Sequence, residues 1–291
     1  MPRASSPVAI IIPARYGSTR FLGKPLAMIA GRTMINRVWS LAYAVAGVDV
    51  VCVATDDERI AEHVRSFGGQ VVMTPKECIN GTERVLTAAE MLVTTPAVVV
   101  NLQGDAVLTP PWVIAALIDE MRCDPAVEIA TAAVRMDKRS YDALRTAKGH
   151  GEVGGTTVTF DRRGNALYFS KSIIPFVRKD RQGNGTDPLP VFRHIGLYAY
   201  RYETLRRYIS FESGPLERSE KLEQLRALEH GIPVRVVQVD YGGRTHWAVD
   251  SPDDLKRVEA IIGEEGDLGE AEAALGVYRR CDLQIQSGVY P

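Results

Sequence analysis

Short apolar runs alternate with amphipathic stretches through the first half of the chain. Residues 8–14 (VAIIIPA) form a continuous, largely β-branched run, the pattern of a strand buried on both faces. Residues 50–55, 70–74 and 97–102 repeat it, while 33–46, 57–67, 81–92 and 110–121 carry helical spacing. Strands and helices alternating at this pitch predict a doubly wound, mostly parallel α/β sheet. The second half is mixed. Strands are expected over 128–136, 156–160, 166–170, 194–200 and 234–239, with helices over 216–229 and 252–262. The polar, Gly- and Pro-rich stretch 178–190 (RKDRQGNGTDPLP) reads as a mobile loop. These elements predict one domain over 1–262, with halves 8–125 and 126–262 and a smaller β-rich lobe in the second. Residues 263–291 read as a peripheral extension.

In open α/β sheets, ligands bind beyond the carboxyl ends of the strands, where the strand order reverses. The loop after the first strand reads Pro13-Ala14-Arg15-Tyr16-Gly17-Ser18-Thr19-Arg20-Phe21-Leu22-Gly23-Lys24-Pro25-Leu26. Its cations, glycines and hydroxyls suit a polyphosphate: freed backbone N–H groups wrap the oxygens while Arg and Lys neutralise them. It is neither GxGxxG nor GxxxxGK[ST], which counts against a dinucleotide dehydrogenase and a P-loop NTPase. The fourth strand delivers Asn101-Leu102-Gln103-Gly104-Asp105 to the same edge. Asp105 there, and Asp250 in Val249-Asp250-Ser251-Pro252, are candidate Mg²⁺ ligands, since magnesium takes few protein carboxylates and keeps waters and phosphate oxygens. Asp105 could instead cap a turn, and Asp250 the helix that follows it.

Composition narrows the picture. The 291 residues hold 35 basic and 36 acidic side chains, a net charge of −1, so a nucleic-acid binder that works by neutralising phosphates is not expected. No apolar run reaches the roughly 18 residues of a membrane span, and no signal peptide precedes the first strand; a soluble, cytoplasmic protein is expected. Cys52, Cys78, Cys123 and Cys281 show no CxxC spacing, and the five histidines no metal motif. Cys52, within an apolar run, reads as a core residue.

Seven blocks then occur in order: 11–26 (IIPARYGSTRFLGKPL), 80–84 (NGTER), 100–105 (VNLQGD), 166–170 (ALYFS), 193–198 (RHIGLY), 222–226 (LEQLR) and 249–255 (VDSPDDL). Together they resemble the 3-deoxy-manno-octulosonate (KDO) cytidylyltransferase family from about residue 8 to residue 262. The resemblance implies a Rossmann-like nucleotidyltransferase with a CTP-binding first half and an acceptor and dimerisation second half. It implies transfer of CMP from CTP to a small anionic acceptor, with release of pyrophosphate. Ala14, Arg15, Ser18, Arg20 and Lys24 would hold CTP, with Asn80, Gly81, Thr82, Arg84 and Gln103 helping to recognise it. Asp105 and Asp250 would hold Mg²⁺, and Lys24 and Arg20 would stabilise the leaving pyrophosphate. His194, Tyr198, Glu223 and Gln224 would bind the acceptor. The residues support that last set: His194 and Tyr198, four apart on a strand, face one side. Glu220, Glu223 and Gln224 would form a polar stripe on one helix. A homodimer is also implied, with 166–176 (ALYFSKSIIPF) either its interface or core.

Departures fall at functional places. Ala106 and Val107 follow Asp105 where the family has Glu-Pro. Cys78 and Asn80 replace its His-x-Ser. A family lysine is replaced near Thr157, and His246 and Trp247 stand near Asp250 in place of a small Gly-Val pair. Two acceptors therefore remain open: KDO or a related 3-deoxy-2-ulosonic acid, and a small phosphonate such as phosphonoformate in natural-product biosynthesis. A non-catalytic nucleotide-binding protein is the alternative from another class.

Overall fold

A strand buried on both faces needs partners on both edges, and β1 (Val8–Ala14) has them, pairing in parallel with β4 (Val50–Thr55) and β6 (Val98–Leu102). The computed structural model describes residues 6–17, 21–178 and 189–268. The sheet continues from β4 to β5 (Gln70–Met73), and from β6 through β10 (Phe192–Arg201) and β7 (Ile129–Arg135) to β11 (Val234–Gln238). β10 runs antiparallel to both β6 and β7, while the other pairs on this path are parallel. β8 (Thr157–Phe160) pairs with the start of β10 and carries β9 (Ala166–Ser170), forming the β-rich extension. One sheet thus joins strands from both halves of the chain.

Alternate residues of β1 feed opposite cores. Val8, Ile10 and Ile12 pack with α1 (Met34–Tyr43), α2 (Glu58–Ser66), α4 (Pro111–Cys123) and α9 (Pro252–Glu265). Ala9 and Ile11 pack with α3 (Gly81–Glu90), α6 (Tyr202–Ile209) and α8 (Leu225–Glu229). Cys52 is buried in this second core, and burial pushes its thiol up to about 12. Capping side chains start the helices: Asp57 on α2, Asn80 on α3 and, on α9, Ser251 rather than the Asp250 that the sequence offers for that place. Among the described residues, no helix is long and apolar enough to cross a membrane.

The second half departs from expectation in one important place. The helix expected over 216–229 is two, α7 (Pro215–Glu220) and α8, because Lys221 adopts a left-handed conformation (φ +54°) and ends the first. Arg226 on α8 then grips Glu217 on α7 with two hydrogen bonds of 2.8 and 2.6 Å. The stripe of Glu220, Glu223 and Gln224 on one helix therefore does not exist. Two helices fall outside the expected set, α6 and α5 (Lys138–Gly149), the latter capped by Asp137. Most of the loop expected over 178–190 lies outside the described residues.

A short hairpin, β2 (Met28–Ile29) and β3 (Arg32–Thr33), also follows the basic loop, turning through Ala30 (φ +43°) and Gly31 (φ +79°). Two positive φ values in a two-residue turn match the twist of a hairpin, at a cost for Ala30. Buried Arg37 holds that turn, donating to the carbonyls of Ile29 and Ala30 (2.7 and 2.8 Å) and pairing with Asp267 at 2.7 Å. Glu259 accepts from the Ala30 N–H at 2.9 Å. The start of the expected peripheral extension is thus docked, with α9 reaching Glu265 and Leu268 buried. Arg37→Ala should cost about 2–4 kcal/mol, because it strands two carbonyls and a partly buried carboxylate. Chemical denaturation measures this, and a loss below about 0.5 kcal/mol, that of an ordinary surface change, would remove Arg37 as the anchor.

Candidate active site

The order of the sheet reverses between β1 and β6: the chain leaves β1 toward β4 and β5, then returns to β6 on the other side. The loops after these two strands meet at that reversal. Lys24, in the short 3-10 turn Lys24–Leu26, places its ammonium 2.7 Å from Asp105 Oδ2 and 4.0 Å from Asp250 Oδ1. Three residues expected to act together, drawn from three distant parts of the chain, share one point.

The basic loop folds back on itself. The Gly23 N–H donates to the Tyr16 carbonyl at 2.9 Å, and a side chain at Gly23 (φ +70°) would meet the Tyr16 ring at 3.2 Å. The Arg59 guanidinium lies 3.3 Å from the centre of the Tyr16 ring, stacked on it as a cation on an aromatic face. Arg15 is exposed at the mouth, and Ala14 is buried at the end of β1. Ser18 and Arg20 lie outside the described residues.

Beneath the loop, Gln103 sits against Gly81, where an added Cβ would lie 3.3 Å from its amide oxygen. Asn80 caps α3 through the Glu83 N–H at 2.8 Å. Buried Arg84 bonds Thr74 Oγ1 (2.5 Å) and pairs with Asp56 (3.2 Å), so within this site it braces the loops after β4 and β5. Gln103 Nε2 donates to Asn101 Oδ1 at 2.7 Å, and Asn101 Nδ2 donates to Thr82 Oγ1 at 3.3 Å. Thr82 Oγ1 donates in turn to Glu223 Oε2 at 3.1 Å. A hydrogen-bonded path thus links the expected nucleotide residues to the expected acceptor residues. Asn101 is its centre, a residue to which the sequence pattern assigns no role.

His194 and Tyr198 do face one side, with ring centres 5.6 Å apart. They do so across a bulge: His194 pairs with Ala133 and Tyr198 with Thr131, and the two extra residues of β10 preserve the side on which the rings project. Thr131 Oγ1 lies 2.9 Å from His194 Nε2. Burial, with His246 nearby, pushes His194 down to about 3. Burial likewise pushes Tyr198 well above its ordinary range and raises Glu223. Glu223 Oε1 and Gln224 Nε2 are buried without a hydrogen-bond partner among the described residues. Unsatisfied buried atoms of this kind mark a place where a polar ligand can bind.

A cationic group escaped the sequence reading. An open cleft of about 430 Å³ is lined by Lys148, Glu152, Lys171 and Ser172, among others. Burial lowers the Lys148 ammonium, helped by the charges of Lys171 and Arg193. These cations come from α5, the residue after β9, and β10, so only the folded chain assembles them.

A family model described as cytidylyltransferase matches residues 9–235. A 3-deoxy-manno-octulosonate cytidylyltransferase of Maricaulis maris (strain MCS10) is 52% identical, over 90% of this chain and 99% of its own. That of Syntrophotalea carbinolica is 43% identical, over 88% of this chain and 98% of its own. The solved structure of a CMP:2-keto-3-deoxy-manno-octonic acid synthetase complexed with CTP aligns with a TM-score of 0.78 and 36% identity, over 89% of this chain and all (100%) of that one. The chain belongs to the 3-deoxy-manno-octulosonate cytidylyltransferase family and is a CTP-dependent nucleotidyltransferase.

Proposed function

We propose that the enzyme transfers CMP from CTP to KDO or a closely related 3-deoxy-2-ulosonic acid. The observation that carries this reading is the path from Gln103 through Asn101 and Thr82 to Glu223, which joins a phosphate-type edge to a second, partly unsatisfied pocket. The likeness to relatives named for that reaction supports it. An acceptor hydroxyl oxygen forms a bond to the α-phosphorus, the bond to the β-phosphate oxygen breaks, and the hydroxyl proton is lost. Such chemistry asks the protein mainly for positioning and charge neutralisation. Lys24 is placed to meet phosphate charge, and the cations of Lys148, Lys171 and Arg193 suit the carboxylate of a sugar acid.

Asp105 and Asp250 fit Mg²⁺. Both approach the single ammonium of Lys24, so their oxygens already converge on one positive charge. Two carboxylates are enough for an ion that completes its shell with phosphate oxygens and water. Such an ion would screen the phosphates and make the acceptor hydroxyl more acidic.

On the acceptor side, burial keeps His194 neutral at ordinary pH, so its ring can accept or donate one hydrogen bond without adding charge to the pocket. We also propose a homodimer. Leu167 on β9 is 64% exposed and Phe176 is 87% exposed, which favours interface over core for the outward residues of 166–176.

Pyrophosphate release from Mg-CTP should occur with KDO and be slow or absent with ATP, GTP or UTP. Turnover with phosphonoformate and none with KDO would overturn the acceptor assignment. Asp105→Ala and Asp250→Ala should each abolish turnover, and full activity in either would remove that residue from the mechanism. Lys24→Ala should weaken CTP binding by about 1–3 kcal/mol, measured by calorimetry. The imidazole of His194 has an ordinary value of 6.5 and a folded one of about 3, so the unfolded chain binds its proton far more readily. Its neutral burial therefore stabilises the fold fully above pH 6.5, and that contribution is lost as pH falls from 6.5 toward 3. Denaturation of His194→Gln across that range should show a shallower pH dependence than the parent; an unchanged slope would assign the effect elsewhere.

A further inference from the structure

Asp250 follows a segment without strand pairing, and its side chain is 58% exposed. Its backbone is held instead by one carboxylate four residues on. Asp254 Oδ2 accepts from the Asp250 N–H at 2.9 Å and from the Ser251 N–H and hydroxyl at 2.8 Å each. The other oxygen, Oδ1, accepts from the indole N–H of Trp247 at 2.8 Å. Burial acts against this carboxylate, yet the donors from Trp247, Ser251 and Asp250 hold it below its ordinary range. The Arg257 guanidinium lies 3.6 Å from the centre of the indole, closing the far side of the ring. The ring itself packs on the first core.

The arrangement gives Trp247 a task other than filling space. A carboxylate gripped on one oxygen only can swing about its Cβ–Cγ bond, and the turn it holds loosens with it. With the indole on the second oxygen, the plane of the carboxylate is set, and so are the N–H groups it receives. We propose that Trp247 is a positioning residue for Asp250, acting through Asp254 and clamped by Arg257, so that the indole fixes where the Asp250 carboxylate points. This rests on the reading of Asp250 as a divalent-cation ligand. Residues that orient a metal ligand without touching the metal commonly carry tenfold to about a hundredfold of metal affinity.

Trp247→Phe tests the idea because it keeps the ring and its cation contact and removes only the N–H. Mn²⁺ serves as the spin-active probe, its affinity for the enzyme–CTP complex being measured by electron paramagnetic resonance. Metal-free CTP binding is measured in parallel. Mn²⁺ affinity should fall about tenfold, with metal-free CTP binding within about twofold of the parent. Arg257→Met should shift Mn²⁺ affinity in the same direction by less. Asp250→Asn supplies the reference. If Asp250→Asn loses Mn²⁺ and Trp247→Phe does not, the positioning role is overturned while the ligand reading stands. If Asp250→Asn binds Mn²⁺ like the parent, the ligand reading itself fails, and the role of Trp247 with it. An equal loss of metal-free CTP binding in Trp247→Phe would mean a general collapse of the site and also overturn the proposal.

Discussion

The contact of Lys24 with Asp105, 2.7 Å across 81 positions of sequence, depends on β1 and β6 lying side by side and ending at the same edge. A strand flanked on both sides by parallel neighbours has both faces covered by helices, which is why β1 is apolar from end to end. Reversal of the strand order then leaves a gap between the loops that follow, with no crossover helix to fill it. Lys24 and Asp105 face each other in that gap. The hairpin behind the loop and the Arg37 contacts that hold it serve the same geometry, because they support the backbone immediately after Lys24.

Charge and neutrality are separated within the site. The edge carries ionised groups, Lys24, Asp105 and Asp250, at positions open enough to meet phosphate and a cation. Beneath it, His194, Tyr198 and Glu223 are driven toward their neutral forms by burial. Buried donors and acceptors discriminate by hydrogen-bond pattern, since an unmatched partner leaves a buried group unsatisfied. The path through Asn101 and Thr82 makes the two layers one unit, with the hydroxyl of Thr82 both accepting and donating.

The departures from the family pattern find different places. Thr157, near which the resemblance implies a lysine, donates to the Ser172 carbonyl at 2.8 Å and accepts from the Ile174 N–H at 3.0 Å, tying β8 to the segment after β9. Ala106 packs on the first core. His246 stands edge-on to Tyr241, pushed down to about 4 by burial and the nearby charge of Arg193. Trp247 reaches Asp254. None of these changes removes a group from the Lys24, Asp105 and Asp250 cluster.

Much of this was legible along the chain because the signals are local. Strand runs, the helices over 57–67 and 81–92, and the basic loop after the first strand depend on residues close in sequence, and the strands and helices recur in the fold as expected. The motif blocks named the family for the same reason. The break at Lys221 was not legible, since periodicity runs unbroken through 216–229 while the ion pair of Arg226 with Glu217 is satisfied only when the chain folds back. The bulge between Ile195 and Tyr198, the cations of Lys148, Lys171 and Arg193, and the grip of Trp247 on Asp254 likewise came only with the tertiary structure. Sequence by itself determined which residue types stand at each loop and which strands must be buried. Only the tertiary structure decided which of those side chains share a pocket, because strand order and helix breaks set distances that no spacing along the chain records.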